Sequence, residues 1–434
     1  MIPTLLQSAV TPRLNSPTLH RLPNGLTIVA ERMPIDAVNL SLWLGVGSSV
    51  ESDAINGMAH YLEHMVFKGT SRLRSGEFEH LIEQRGAVTN ASTSQDYTHY
   101  YITTAPQDFA DLAPHQIEVV LNASVPDEAF ERERHVILEE IRRANDSPQR
   151  RTFYRAMDVA FERSPYRRPV LGPSSVIEHL TAQQMRDFHT TWYQPQSMTA
   201  VAVGNLPVEQ LIQIVADGVA DSQSRRTDTV PQQLSERLES EPEAPFTEIV
   251  RYEQVDESLQ QARLVMMWRV PGMVNLSPTY ALDVVASVLA QGRTARLVRD
   301  LREDRQLVSG ISVSNMTYTR EGVFYISAQL PAENLETVEE AIAQHIRRLH
   351  TEPVTEAEIQ RIRTLVANRY VFGNETPGDR AGLYGYYQAV VGDLEPALLY
   401  PTHIQSVDAA DLQLAAQRYL SPDAYGVVSL KPAA

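Results

Sequence analysis

The segment GMAHYLEHMVFKG, residues 57–69, concentrates the side chains of this sequence that are best placed to do chemistry. Met58, Ala59, Tyr61, Leu62, Met65, Val66 and Phe67 cover most of the circumference of a helix drawn through it, which predicts a helix buried nearly all round. His60, Glu63 and His64 are the polar exceptions, and at i, i+3 and i+4 they share one face within an arc of about 100°. Burying two imidazoles and a carboxylate among apolar groups is costly unless a charged partner meets them. A divalent cation is such a partner. Two histidines four apart can point at one ion, zinc takes imidazole readily, and Glu63 projects toward the ion's open position, where it can take a proton from water. With 12 His and 54 acidic residues, the pattern H-x-x-E-H arises by chance about 0.04 times in a chain of this composition. The plain alternative is a pair of core histidines satisfied by backbone.

A catalytic zinc wants a third protein ligand and an open fourth position. The chain has no cysteine, so the remaining ligand must be His or carboxylate. The stretch ERERHVILEEIRRA, residues 131–144, offers one. On a helical wheel Glu140 falls about 20° from Glu133, and both lie inside an apolar stripe with Val136, Ile137, Ile141 and Ala144. Glu139 lies about 120° away on the face of Arg132 and Arg143, as an ordinary solvated ion-pairing residue does. A metal would explain two carboxylates on an apolar stripe, with Glu140 as ligand and Glu133 orienting a ligand from behind; the plain alternative is a helix whose stripe edge merely reaches solvent.

GMAHYLEHMVFKGT and the distant ERHVILEE closely resemble the zinc segments of the pitrilysin/insulinase family of inverted zinc peptidases, above all its processing-peptidase catalytic subunits and their bacterial relatives. In that family the third ligand is a Glu about 76 residues after the second His, the spacing that separates His64 from Glu140, and a further Glu seven residues earlier matches Glu133. The resemblance therefore implies one Zn2+ per chain on His60, His64 and Glu140, with Glu63 and Glu133 as the catalytic carboxylates. GAVTNASTSQDYTHYY resembles the family's edge strand, where an Asn-Ala pair binds substrate backbone; Asn90 and Ala91 occupy those places. An exposed edge strand can take an extended peptide as an extra strand, with affinity from main-chain bonds and little sequence preference. YRRPVLGP, FHTTWYQPQSM and VAVGN continue the likeness, which is strong over residues 20–205 and looser beyond.

One departure bears on partners. In the family, the half of the active complex facing the zinc supplies an Arg and a Tyr seven residues apart. The matching stretch here is DLREDRQLVSG, with Arg302 in place but Ser309 at the Tyr position. A serine hydroxyl cannot reach where a phenol would. The resemblance thus implies a clam-shell dimer in which a homologous subunit supplies the pair, a heterodimer in preference to a homodimer, and leaves Arg302 to local ion pairs.

These residues need elements to hold them. LPNGLTIVAERM, with its Asn24-Gly25 turn, and VNLSLWLGVGS read as strands, and helical patterns follow to about residue 220. EIVRYEQV, QARLVMMWRV and GVFYISAQL read as strands of a second half, and TYALDVVASVLAQ, TVEEAIAQHIRRLH and TEAEIQRIRTLVANRY as its helices. The expected class is α+β: two similar domains, each a mostly antiparallel β-sheet packed with α-helices. The boundaries are a zinc-bearing domain over residues 1–225, a polar, proline-punctuated linker over 226–245, and a second domain without a zinc site over 246–434. A net charge of −16 argues against nucleic acid and suits cationic peptides, although acidity also serves simply to keep a protein dispersed. No continuous run of about 18 apolar residues suggests a membrane span. The first residues lack both a secretory h-region and an Arg-rich presequence pattern, which makes cytoplasmic the expected location.

The function these readings predict is a zinc-dependent metalloendopeptidase acting on extended or unfolded peptides, in processing or degradation. Two alternatives share the fold: a non-catalytic structural subunit, which typically loses motif residues, and a peptide binder without turnover.

Overall fold

The computed structural model describes residues 14–225 and 241–433. Eleven strands among these residues form two sheets. The first contains β1 (Thr18–Arg21), β2 (Thr27–Arg32), β3 (Val38–Leu44), β4 (Val88–Thr93), β5 (Thr98–Thr104) and β6 (Met198–Gly204), in the order β1-β2-β6-β3-β5-β4. The second contains β7 (Val250–Val255), β8 (Ala262–Pro271), β9 (Gly310–Thr317), β10 (Glu321–Leu330) and β11 (Gly426–Lys431), in the order β7-β11-β8-β10-β9. Apart from β1 the two orders are identical, each strand shifted by five. In both sheets a single parallel pair, β2 with β6 and β7 with β11, joins otherwise antiparallel neighbours. Order of elements, the only sequence sign of an internal repeat, is thus matched by topology. The linker expected over 226–245 lies outside the described residues up to 240. Near its end Glu243 is anchored, accepting backbone N–H bonds from Glu162, Arg163 and Ser164 and pairing with Arg269 at 3.0 Å.

Each sheet carries packed helices on both faces. Against one face of the first sheet lie Leu40, Leu42, Tyr100 and Ile102 with the apolar sides of helices Met58–Val66, Phe109–Leu121 and Val208–Gln223. The second sheet packs likewise on Leu276–Ala290, Leu335–Thr351 and Ala409–Tyr419. The window Met273–Ala290 has a mean hydropathy of 1.3, enough by composition to cross a membrane, yet 56% of it is buried and Leu282, Val285 and Leu289 sit in the second core. The opposite faces are covered by exchange. Helix Pro148–Ala160 of the first half packs Ala156, Met157 and Ala160 on Val265, Met267 and Val428 of the second sheet. Helix Pro377–Val390 of the second half packs Ala381 and Tyr384 on Val29, Trp43 and Val201 of the first. A Cβ at Gly385 would lie 1.9 Å from Trp43 Nε1, so this close approach requires glycine.

This exchange explains why β3 is buried throughout despite alternating polar residues. Its Asn39 donates to Thr103 Oγ1 (2.9 Å) and accepts from Ser41 Oγ (2.8 Å), so these two polar side chains are satisfied, whereas Trp43 Nε1 under the exchanged helix is buried without a hydrogen-bond partner. Across the same contact Arg380 pairs with Glu31 at 2.8 Å, 9% and 4% exposed, and Tyr384 donates to Glu31 at 2.8 Å. The β4–β5 turn is tied to the second half through Asp96, which accepts from the Thr319 N–H (2.8 Å) and the Tyr166 hydroxyl (2.9 Å).

Candidate metal centre

Helix Met58–Val66 begins at Gly57, whose φ of 99° lies in the left-handed region and whose Cβ would meet Leu171 O at 2.6 Å. Met58, Ala59, Tyr61, Leu62, Met65 and Val66 are buried, while His60, Glu63 and His64 are half-buried along one face. Helix Asp127–Asp146 runs beside it. Tyr61 stacks on Phe130 with ring centres 4.5 Å apart and donates its hydroxyl to the Phe130 carbonyl, fixing one helix against the other. Ile137, Ile141 and Ala144 are buried on the second helix as its stripe predicts, but Val136, at the edge of the stripe, is 44% exposed. Glu139 is a surface residue paired with Arg142 and Arg143; Arg132 instead lies 3.9 Å from Glu128.

Three side chains converge. His60 Nε2 lies 3.5 Å and His64 Nε2 3.7 Å from Glu140 Oε2, and one donor atom from each falls within 4.8 Å of the others. Bonds of about 2.0–2.1 Å in tetrahedral array put donor atoms about 3.4 Å apart, so this spacing fits one zinc ion with a position left open. Among the described residues, this is the one group of three or more His and carboxylate side chains so arranged.

Supporting groups hold the converging side chains. Glu133 Oε1 lies 2.9 Å from His64 Nδ1 and its Oε2 lies 2.7 Å from Lys68 Nζ. With a proton on Nδ1 held by Glu133, the lone pair of His64 is on Nε2, facing Glu140. Burial would lower the His64 pKa, but Glu133, Glu140 and Glu63 outweigh it and raise it. For Glu133 burial acts upward, and His64 and Lys68 together hold the carboxyl below its usual range. His60 is pushed down to about 3 by burial and then by the neighbouring His64, so its ring is neutral and able to donate a lone pair at neutral pH. Its Nδ1 is buried without a hydrogen-bond partner.

Glu63 stands between this group and the edge strand. Thr93, the last residue of β4, donates its hydroxyl to Glu63 Oε2 at 2.5 Å. Burial raises the Glu63 pKa, Glu140 adds to the rise, and Thr93 and His64 oppose it. On β4, Asn90 is exposed and Ala91 half-buried, and among the described residues no strand pairs with the outer edge of β4.

Three supporting residues escaped the sequence reading. Lys68 lies four beyond His64 and could have been found by that spacing. Thr93 lies in the edge segment but has no spacing to mark it. Glu51 is fully buried and caps the front of the site helix through space, accepting from the N–H of Gly57 (2.8 Å) and Ala59 (2.7 Å) and from Asn56 Nδ2 (2.9 Å). Arg302 pairs with Glu303 at 2.7 Å, and Ser309 donates to Gln261 Oε1 and Gln329 O.

Residues 27–174 match the family model described as Insulinase (Peptidase family M16), and residues 179–366 match that described as Peptidase M16 inactive domain. This chain belongs to the pitrilysin/insulinase (M16) family of peptidases. The boundary between the two family models falls within the first half of the molecule, before β6 completes its sheet. Among relatives, a zinc protease named PqqE from Helicobacter pylori is 25% identical over 417 residues, covering 95% of this chain and 92% of its own. The crystal structure of a protease from Helicobacter pylori superposes with a TM-score of 0.88 at 24% identity over 96% of this chain and 99% of that one. A peptidase M16 inactive domain from Pseudomonas fluorescens gives 0.84 at 19% identity over 97% and 99%.

Proposed function

We propose that the chain is the zinc-bearing subunit of a metalloendopeptidase that cleaves extended or unfolded peptides. The observation that carries this reading is the convergence of His60, His64 and Glu140 beside a half-buried Glu63 at the end of an unpaired edge strand. His60 and His64 offer ring nitrogens and Glu140 a carboxylate oxygen. Zinc, when bound, supplies Lewis-acid activation of water and of the scissile carbonyl. Glu63 accepts the proton of the attacking water on its carboxylate and returns it to the leaving amine, and its burial-raised pKa suits that exchange. Thr93 holds the Glu63 carboxylate in place. Asn90 and Ala91 present main-chain groups along which the peptide lies as an added strand.

The presence of His60, Glu63, His64, Glu133 and Glu140 together favours this over a non-catalytic subunit of the same fold. Ser309 and the local pairing of Arg302 support a second, homologous subunit as the source of an Arg-Tyr pair facing the zinc. The test is metal content by mass spectrometry. Purified chain carries about one zinc, and His64→Ala or Glu140→Gln loses most of it; stoichiometric zinc in both variants refutes the ligand set.

A further inference from the structure

A cavity of about 580 Å³ opens where the first half meets the second sheet. Its floor is the face of β8, β9 and β10 beside helix Pro148–Ala160, and its walls are that helix from Gln149 to Met157, residues 166–170 and Gln95 of the β4–β5 turn. In a chain with a net charge of −16, four arginines line it (Arg150, Arg167, Arg168 and Arg263) and no Asp or Glu does.

Several of these cations have capacity to spare. Arg263 Nε and Arg168 Nη1 are buried without a hydrogen-bond partner. Arg168 Nε is committed to Asp53 at 2.7 Å and Arg167 Nη1 to the Glu162 carbonyl at 2.8 Å. The Arg150 guanidinium has neither a hydrogen bond nor an ion pair among the described residues. Buried, unmatched guanidinium N–H groups are costly, and a carboxylate is the group that satisfies them with charge and paired acceptors. Phe153 and Tyr325 line the same cavity and can contact the stem of a side chain that carries the acid.

Its place relative to Glu63 says whose carboxylate this is. Gln95 lies two residues past Thr93, the residue that holds Glu63, where the chain leaves β4 in the β4–β5 turn. A peptide laid along β4 runs on toward the arginines. We infer that this cavity is a carboxylate subsite, binding an acidic side chain or the free C-terminus of a peptide substrate about two to four residues from the cleaved bond. This rests on the peptidase reading above.

The test uses the zinc-loaded chain, with its homologous subunit if cleavage requires one, and peptides carrying Glu or Gln at those positions, each as free acid and as C-terminal amide. The chain favours the acidic member of a pair about tenfold in kcat/KM; a Glu-over-Gln preference assigns the side chain, an acid-over-amide preference the terminus. Arg150→Gln with Arg263→Gln brings the ratio to about one, and Arg263→Lys, which keeps the charge, retains a severalfold preference. Equal rates for charged and neutral peptides, or a preference that survives the double variant, overturn the subsite. If no peptide is cleaved, fluorescence anisotropy with labelled acidic and neutral peptides separates the two claims. Salt-sensitive binding of the acidic peptide, lost in the double variant, upholds the subsite while the peptidase reading fails; equal binding of both peptides overturns it.

Discussion

Glu133 stands between His64 and Lys68, with Oε1 2.9 Å from the ring Nδ1 and Oε2 2.7 Å from the ammonium. It does not face the common centre of His60, His64 and Glu140, so it acts on the metal only through the His64 ring. Glu133→Gln therefore weakens zinc binding about 10- to 100-fold while leaving a competent site, whereas Glu140→Gln removes a ligand outright. Competition with a chromophoric chelator measures both, and equal losses in the two variants contradict the assignment of different roles.

Ser309 is engaged with Gln261 and Gln329 on the second half's own surface. The isolated chain should cleave peptides poorly and gain strongly on mixing with a homologue that carries Arg and Tyr seven residues apart at the matching positions. Such a complex buries a substantial interface and completes the stabilisation of a developing oxyanion without altering the ligand set. Full activity of the isolated chain, unchanged by the homologue, refutes the borrowed pair. A large gain from Ser309→Tyr alone points instead to self-association.

The Glu31–Arg380 pair ties the first sheet to the exchanged helix at 2.8 Å, with both side chains buried. Arg380→Met strands a buried carboxylate and should cost about 3–5 kcal/mol, while adding Glu31→Leu recovers much of that. Urea unfolding midpoints test this; a double variant no more stable than the single one would show that Glu31 is not the source of the loss.

Glu51, the cap of the site helix, has its carboxyl lifted from 4.5 to about 7 by burial, against the opposing hydrogen bonds from Ala59, Asn56 and Gly57. Between those values the folded chain keeps a proton that the unfolded chain has released. The group's contribution to stability is therefore full at low pH and declines as pH rises to about 7, by about 3 kcal/mol. The difference in unfolding free energy between the metal-free protein and Glu51→Gln, followed from about pH 5 to about pH 8, should fall with rising pH. A pH-independent difference contradicts the shift.

The site helix was legible in sequence because its few polar residues share a face of an otherwise apolar segment, and Glu140 because a carboxylate in an apolar stripe needs a reason. Both are local, periodic signals. The strands around Trp43 and Trp268 were legible for the same reason. Glu51 and the exchanged helices were not. Glu51 acts on a helix that starts seven residues later in the chain, and helix Pro377–Val390 covers residues of the first sheet far earlier in the chain, from Val29 to Val203, contacts that no periodicity within either segment encodes. Val136 illustrates the limit of a helical wheel: its angle places it at the edge of the stripe, yet it is 44% exposed.

The most direct measurement is peptide cleavage by Glu63→Gln, with zinc content determined on the same sample and the homologous subunit added to both variant and parent. In the proposed mechanism Glu63 works on water and not as a ligand, so the variant should hold about one zinc per chain while cleavage of an unfolded-peptide pool, read by mass spectrometry, falls by several orders of magnitude. Near-normal cleavage by a zinc-replete Glu63→Gln chain, or no cleavage by the zinc-replete parent, would contradict the account.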